Sequence, residues 1–209
     1  MDDKVKRLKN LYKKSPETEM CRKIKISHGH KFVCDLGYGN PDAKIFFIGE
    51  APGKSEDLKG IPFIGDAGKK FRNNLEYIGL SRKDVWVGNV VRYRPTTKGG
   101  KRNRAPKIAE IKACLPLLLK EIEIIDPDIV VPMGLVALKA LTGKTNNMKA
   151  SAGRAMTYGQ RTMFPLYHPA SEIYNKELRD VIRKHFEELG KLIHKGEIQT
   201  GIDKFLVPK

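Results

Sequence analysis

The chain has 209 residues, which suits one domain with a substantial buried core. Its 40 Lys and Arg outnumber its 24 Asp and Glu, and the formal net charge of +16 favours a polyanionic partner such as nucleic acid. No stretch approaches the roughly 18 apolar residues that a membrane-spanning helix needs, and the charged residues 1–4 lack the apolar core of a signal peptide. We therefore exclude a membrane protein and expect a cytoplasmic one.

The N-terminal residues 1–36 form a basic segment that we expect to pack on the main domain. Within it, Val5, Leu8, Leu11 and Tyr12 have the spacing of a short amphipathic helix.

Three cysteines at irregular spacing, Cys21, Cys34 and Cys114, predict no disulfide framework and fit a reducing compartment. Cys21 and Cys34 flank His28 and His30, which have metal-ligand chemistry, but this spacing matches no standard zinc pattern. Alternatively, Cys34 is a buried core residue in an apolar run. We expect no metal here and retain the three cysteines only as candidates for a cluster.

The apolar run at 45–48 predicts a strand buried on both faces, which ends abruptly in a loop at 49–53. Ligands of open α/β sheets bind at the carboxyl ends of the strands, so Glu50 and Ala51 stand where a ligand would bind. Phe63 follows, with glycines on both sides of it in the sequence. A solvated loop whose acids have no role is the alternative.

Residues 69–78 predict a helix, and residues 85–91 predict a second buried strand, interrupted by Asn89 near its carboxyl end. Such an asparagine could read a ligand or could satisfy a neighbouring backbone group. The next loop, residues 92–107, is dense in Lys and Arg, which favours contact with phosphates over simple solvation.

A long helix is predicted to begin at Pro106, and Pro116 predicts a kink or a restart within it. Residues 128–133 and 161–166 predict the third and fourth strands, and His168 comes just after the fourth. The intervening residues 143–160 are polar and predict an irregular segment.

A final helix at 175–193 precedes a tail at 196–209. The alternation of strands and helices predicts a three-layer α/β sandwich over residues 37–195, with a central, mostly parallel four-stranded sheet. Parallel strands have their carboxyl ends at one edge, so Glu50 and His168 should meet there.

Three motifs in this frame resemble those of the iron–sulfur-type (family 4) uracil-DNA glycosylases. They are the loop at 49–68, the Asn-Val-Val-Arg-Tyr-Arg-Pro segment at 89–95, and His-Pro-Ala at 168–170. The resemblance runs over residues 39–193. It implies a monofunctional DNA repair enzyme that flips uracil out of DNA and hydrolyses its N-glycosidic bond, leaving an abasic site. Uracil-containing DNA would be its partner, and we expect a monomer associated with the nucleoid.

The resemblance assigns a role to each candidate residue. Phe63 would stack on the flipped base, and the Asn89 amide would read O4 and N3 of uracil while rejecting cytosine. His168 would donate to O2 of the leaving base, and Glu50 would orient water and stabilise the cationic sugar. Ala51 would complete the substrate-binding loop.

Contact with DNA is assigned to the basic loop and to one apolar residue. The family places large apolar residues that wedge into DNA after His-Pro-Ala, and here only the third residue of Ser-Glu-Ile could do so. A related branch traps uracil covalently through a histidine in its basic loop, and this loop has none. The DNA-binding candidates are Arg94, Lys98, Lys101, Arg102, Arg104 and Ile173.

The chain departs from the family at its iron–sulfur cluster, which four cysteines hold. Cys21 and Cys114 match two of these positions, whereas Ile24 and Tyr93 stand at the other two. A cluster would require Cys34 and a histidine to be recruited. We therefore expect no cofactor.

Two other functions fit the same residues. The chain could be a superfamily member that binds nucleic acid without excising uracil, or a glycosylase for another deaminated base such as hypoxanthine. The complete set of Glu50, Asn89 and His168 favours an enzyme over a pure binder.

Overall fold

The computed structural model describes residues 2–23, 31–143 and 147–194, and these ranges form an α/β domain around one sheet. Four strands are parallel, and the fifth pairs antiparallel at one edge. The strand order is β2-β1-β3-β5-β4. The strands are β1 (Ile45–Gly49), β2 (Trp86–Asn89), β3 (Ile129–Pro132), β4 (Met156–Tyr158) and β5 (Arg161–Met163).

Helices cover both faces of this sheet. None of the helices in the described ranges is long and apolar enough to cross a membrane. The helices are α1 (Asp2–Lys14), α2 (Pro16–Lys23), α3 (Lys54–Lys59), α4 (Asp66–Tyr77), α5 (Ile108–Ile125), α6 (Leu135–Thr142), α7 (Met148–Ser151), α8 (Ser171–Tyr174) and α9 (Glu177–Leu192).

The alternation of side chains along β1 divides the core into two halves. Phe46 and Ile48 pack with α1, α2 and α5 on one face, whereas Ile45 and Phe47 pack with α4 and α9 on the other. All five positions of the strand are buried. Burial on both faces explains why the sequence of this strand is an uninterrupted apolar run.

The predicted three-layer α/β architecture with a mostly parallel sheet is confirmed, but the sheet has five strands rather than four. The additional strand β4 lies in the segment 143–160 that we expected to be irregular. It pairs with β5 around a turn in which Gly159 has φ of 60°. The side chains of β4 are half-buried or exposed, so this edge strand lacks the apolar run that marks the inner strands.

Helix α5 runs without interruption through Pro116, so the restart expected at this proline does not occur. Ala113 and Cys114 before the proline and Leu117 and Leu118 after it are all buried. Packing on both sides of the proline therefore holds the two halves in one helix despite the lost backbone hydrogen bond.

The N-terminal helices are attached to α5 by a buried polar cluster centred on Glu121. The Glu121 carboxylate accepts hydrogen bonds from Tyr12 and from the Trp86 indole (3.0 Å to Nε1), and it forms an ion pair with Arg92. The Arg92 and Glu121 side chains are fully buried. Burial, followed by the charge of Glu121, raises the pKa of the Tyr12 hydroxyl. This cluster ties α1, β2 and α5 to one another.

A disulfide joins Cys21 of α2 to Cys114 of α5, with the two Cα atoms 4.4 Å apart. Our expectation of a chain without disulfides was therefore wrong. The reason is that residues 93 positions apart in the sequence become neighbours only when α2 packs on α5, which cysteine spacing alone does not reveal.

We predict that Glu121→Ala lowers the free energy of unfolding by about 3–5 kcal/mol, because it leaves the Arg92 guanidinium buried without its partner. Urea unfolding measures this change. The matched control is Glu123→Ala on the same helix, which removes an exposed pair with Lys120 and should change stability by less than about 0.5 kcal/mol. Equal losses in the two variants would contradict a special role for the buried pair.

Candidate active site

A cavity of about 440 Å³ opens at the carboxyl edge of the parallel strands. It collects residues from the loops after β1 and β5, the end of β2, the basic loop and the short helix α8. Seven of the candidates named from the sequence line it. These seven are Glu50, Ala51, Phe63, Asn89, Arg104, His168 and Ile173.

The floor of the cavity depends on the pairing of Gly49 with Asn89 across β1 and β2. A Cβ atom on Gly49 would lie 2.5 Å from the Asn89 Oδ1 atom and 2.6 Å from the Phe63 ring. Glycine is thus the residue that lets the amide and the ring approach the end of β1. Asn89 is buried, and its Oδ1 atom accepts no hydrogen bond from the protein. A buried acceptor without a partner on the wall of a cavity suits a ligand that brings a donor.

The Phe63 ring is held in one orientation by its backbone. Phe63 has φ of 56°, a left-handed conformation that is costly for an aromatic residue. Arg72 donates to the Phe63 carbonyl oxygen (2.9 Å), and this carbonyl lies where a Cβ atom on Gly68 would be. The ring then packs against Phe71 and His168, with centroids 5.3 Å and 5.9 Å apart, respectively.

Glu56 organises the same loop, a role that sequence analysis did not assign to it. Its carboxylate is buried and accepts from three backbone N–H groups, those of Gly53 (3.1 Å), Ile64 (3.0 Å) and Gly65 (2.8 Å). These bonds tie the start of α3 to the turn after Phe63. The available signal was an acid three residues after Gly53, the spacing of a capping box.

His168 presents one ring nitrogen to the protein and leaves the other for the cavity. Its Nδ1 atom accepts from the Ala170 N–H (3.2 Å), which assigns the proton of the neutral ring to Nε2. Burial lowers the pKa of His168 to about 4, and the nearby Glu56 carboxylate opposes this shift only in part. The imidazole is therefore neutral near pH 7 and acts as a donor without carrying a charge.

Glu50 is half-buried at the cavity, immediately after β1. Burial raises its pKa above the ordinary carboxyl value. Glu50 and Glu56 both line the cavity, but both oxygen atoms of the Glu56 carboxylate already accept hydrogen bonds from backbone N–H groups.

The basic loop folds back on itself through the antiparallel pairing of Thr96 with Asn103. Two of its predicted DNA contacts are engaged within the protein. Arg94 is buried and donates to Asn103 Oδ1 (2.7 Å), and Arg104 forms a bidentate pair with Glu110 (2.6 and 2.8 Å). Arg104 also lines the cavity. Three cations at the tip are exposed, namely Lys98, Lys101 and Arg102.

The rim of the cavity opposite the loop after β1 is formed by α8. Ile173 and Tyr174 are 44% and 87% exposed, and both line the opening. The preceding Glu172 is buried and accepts from the Asn74 amide (2.6 Å), which anchors α8 to α4. The sequence analysis named Ile173 and overlooked Tyr174, although the sequence shows an aromatic residue directly after the candidate wedge.

The cysteines do not fit a four-thiolate cluster. The sulfur atoms of Cys21 and Cys114 are bonded to each other, and Tyr93 stands at a third ligand position. Over the ranges that the structure describes, no group of three or more His, Cys, Asp or Glu side chains could hold a metal ion. His28 and His30 lie outside these ranges.

Comparisons with known proteins agree with the geometry. The profile of the uracil DNA glycosylase superfamily matches residues 36–190. The type-4 uracil-DNA glycosylase of Saccharolobus solfataricus is 37% identical over 94% of this chain and 92% of its own length. Proteins of the same name from Archaeoglobus fulgidus and Thermotoga maritima are 34% and 37% identical, over 87% and 77% of this chain and 92% and 83% of their own lengths. The chain belongs to the uracil DNA glycosylase superfamily.

Proposed function

We propose that this protein is a DNA repair glycosylase that excises uracil from DNA by hydrolysis of the N-glycosidic bond, leaving an abasic site. The observation that carries the proposal is the buried Oδ1 atom of Asn89, which lacks a partner in a cavity also lined by Glu50, Phe63 and His168. The type-4 uracil-DNA glycosylases that resemble the chain over most of its length support the same reaction.

Asn89 reads the edge of the base. Its Oδ1 atom accepts the N3–H of uracil, while its amide nitrogen donates to O4. Cytosine has an acceptor at N3 and an amino group at position 4. In the same amide orientation, Oδ1 would face the acceptor N3, and the amide nitrogen would face the amino group, so neither hydrogen bond could form. We infer that the buried position of Asn89 on β2 keeps the amide in the orientation that suits uracil, because an amide rotated by about 180° would pair with cytosine instead.

Phe63 contacts the face of the base, and His168 contacts its O2 atom. The Phe63 ring, fixed by its left-handed backbone, stacks on the flipped base. The Nε2–H group of neutral His168 donates to O2 and stabilises the negative charge that develops as the base leaves. The neutral imidazole keeps its Nε2 proton throughout the reaction, so it needs no proton transfer in order to act as a donor.

Glu50 acts on the sugar side. As an ionised carboxylate it stabilises the cationic sugar and orients the water that adds to the anomeric carbon. The water that adds loses a proton to solvent as its bond to the anomeric carbon forms. The base departs as an anion with the electrons of the broken N-glycosidic bond and takes up a proton from solvent. Neither step requires a metal or a nucleotide cofactor, and we propose that the enzyme has none.

The DNA strand runs across the basic loop. We propose that the exposed Lys98, Lys101 and Arg102 contact phosphates, while Arg94 and Arg104 brace the loop from within. One chain supplies all of these groups, which supports a monomeric enzyme. A DNA substrate supports a location at the nucleoid.

The first test is single-turnover release of uracil from an oligonucleotide with one uracil. Asn89→Ala and His168→Ala should each slow release by about 10² or more, because each removes a contact to the charge that develops on the base. The exposed Asn73→Ala and His194→Ala variants are matched controls and should retain the full rate.

The same assay decides between the candidate substrates. Oligonucleotides with hypoxanthine or xanthine should give no product. Release of either purine without release of uracil would reassign the substrate, and salt-dependent binding without release of any base would make the protein a binder.

A second prediction concerns pH. Ionisation of Glu50, whose pKa is raised by burial, should make the rate climb with pH in the acid range and then level off. His168 is already neutral above its pKa of about 4, so its own titration adds no change to the rate near pH 7. The rate of Glu50→Gln should be low and should not climb with pH, and an unchanged acid limb in this variant would contradict the assignment.

A third prediction concerns the rim. Ile173→Ala and Tyr174→Ala should each slow excision from duplex DNA by about 10-fold and leave the rate on single strands near that of the parent, because a wedge is needed only where stacked bases must be opened. Tyr38→Ala, another exposed tyrosine, is the control. Equal losses on single and double strands would indicate a role within the cavity instead.

A further inference from the structure

We propose that the disulfide between Cys21 and Cys114 takes the place of the iron–sulfur cluster in this protein, as a permanent covalent link between α2 and α5. The proposal does not depend on the uracil-excision reaction, since it concerns how the fold is held together. It rests on the bond itself, on the residues at the remaining ligand positions and on the packing around them.

The two sulfur atoms are unavailable to iron. Cys21 and Cys114 are 0% and 1% exposed, and each sulfur is bonded to the other. Their Cα separation of 4.4 Å lies within the usual range for disulfides, so the helices need not move to accommodate the bond. A cysteine binds an iron–sulfur cluster as its thiolate, and a disulfide offers no thiolate.

Aromatic side chains pack against the core cluster that contains the disulfide. Phe32 makes edge contacts with Tyr12 and Tyr93, with ring centroids 5.8 Å and 5.7 Å apart, and the Arg22 guanidinium lies 5.5 Å above its ring. Tyr12 belongs to this cluster, and Phe32 and Tyr93 pack against it. Tyr93, at a ligand position of the family, is therefore part of an aromatic cluster in this region.

The third cysteine supplies no substitute ligand. Cys34 is a half-buried free thiol, and burial raises its pKa above the ordinary thiol value. One remaining thiol cannot supply the four ligands that a cluster needs, and burial disfavours the thiolate form of Cys34. The cysteines thus divide into one buried, bonded pair and one free thiol.

Formation of the link requires an oxidant, which we assign to a low-molecular-weight disulfide. The Cys21 or Cys114 thiolate attacks one sulfur of that molecule and displaces its other half as a thiol, and the second cysteine then attacks the mixed disulfide. Overall, two cysteine thiols lose two electrons and two protons, and the small disulfide becomes two thiols.

The link closes a long loop that contains most of the candidate site. The bonded residues are 93 positions apart, and Glu50, Phe63 and Asn89 all lie between them. A crosslink across such a loop removes many conformations of the unfolded chain and so favours the folded state. In this way the link stabilises the part of the chain that forms the cavity.

Counting thiols tests the proposal directly. Cells that produce the full chain are lysed in denaturant with excess N-ethylmaleimide, and the intact protein is weighed by mass spectrometry. The expected result is one adduct per chain, on Cys34, and three adducts when reductant precedes the alkylation. Iron and acid-labile sulfide, measured on protein purified without oxygen, should be absent. Three adducts without reductant, or bound iron with sulfide, would overturn the proposal.

Thermal unfolding provides a second readout. A reductant should lower the Tm of the parent and of Cys34→Ser by on the order of 10 °C. It should not change the Tm of a Cys21→Ser, Cys114→Ser double variant. If the double variant does not fold, the parent and Cys34→Ser still test the proposal. A Tm that is the same with and without reductant in both proteins would contradict a stabilising link. Neither experiment uses uracil release, so failure of the proposed reaction would leave them unaffected.

Discussion

The pairing of Gly49 with Asn89 is the constraint on which the candidate site depends. β1 lies between β2 and β3 and is buried along its whole length, so its end is fixed on both sides. At that end the missing side chain of Gly49 leaves room for the Asn89 amide and for the Phe63 ring. The parallel register of β1 and β2 therefore places the hydrogen-bonding amide of Asn89 beside the stacking ring of Phe63.

Around this point the protein uses buried charge for two different purposes. Glu56 and Glu121 are structural: their carboxylates are occupied by backbone N–H groups and by a buried cluster of donors, respectively. Glu50 lines the cavity, where burial keeps its pKa raised. Because desolvation outweighs the effect of Glu56 on His168, the imidazole remains a neutral donor. The acids that shape the site and the acid that faces a ligand are thus distinct residues.

The basic residues divide in the same way. Arg92, Arg94 and Arg104 are used inside the protein, where a planar guanidinium can satisfy several acceptors at once. Lysines and one arginine remain at the exposed tip of the loop, where a flexible cation can follow a phosphate backbone. Net charge alone counts all of these residues alike, whereas the structure shows that Arg92 and Arg94 are buried within the protein.

The sequence by itself determined the α/β class, the four parallel strands, and Glu50, Phe63, Asn89 and His168 as candidates that line one cavity. It could do so because buried strands are apolar runs and because polar residues at their ends stand out against them. Only the tertiary structure decided the edge strand β4, the three backbone donors of Glu56, the internal use of Arg94 and Arg104, and the Cys21–Cys114 bond. The Cys21–Cys114 bond joins residues 93 positions apart, whereas the contacts of Glu56, Arg94 and Arg104 form within folded loops, and β4 is a half-exposed strand without an apolar pattern. Apart from the capping-box spacing of Glu56, local sequence carries no signal for these contacts, because the partner of each group is set by how the loops and helices pack on the sheet.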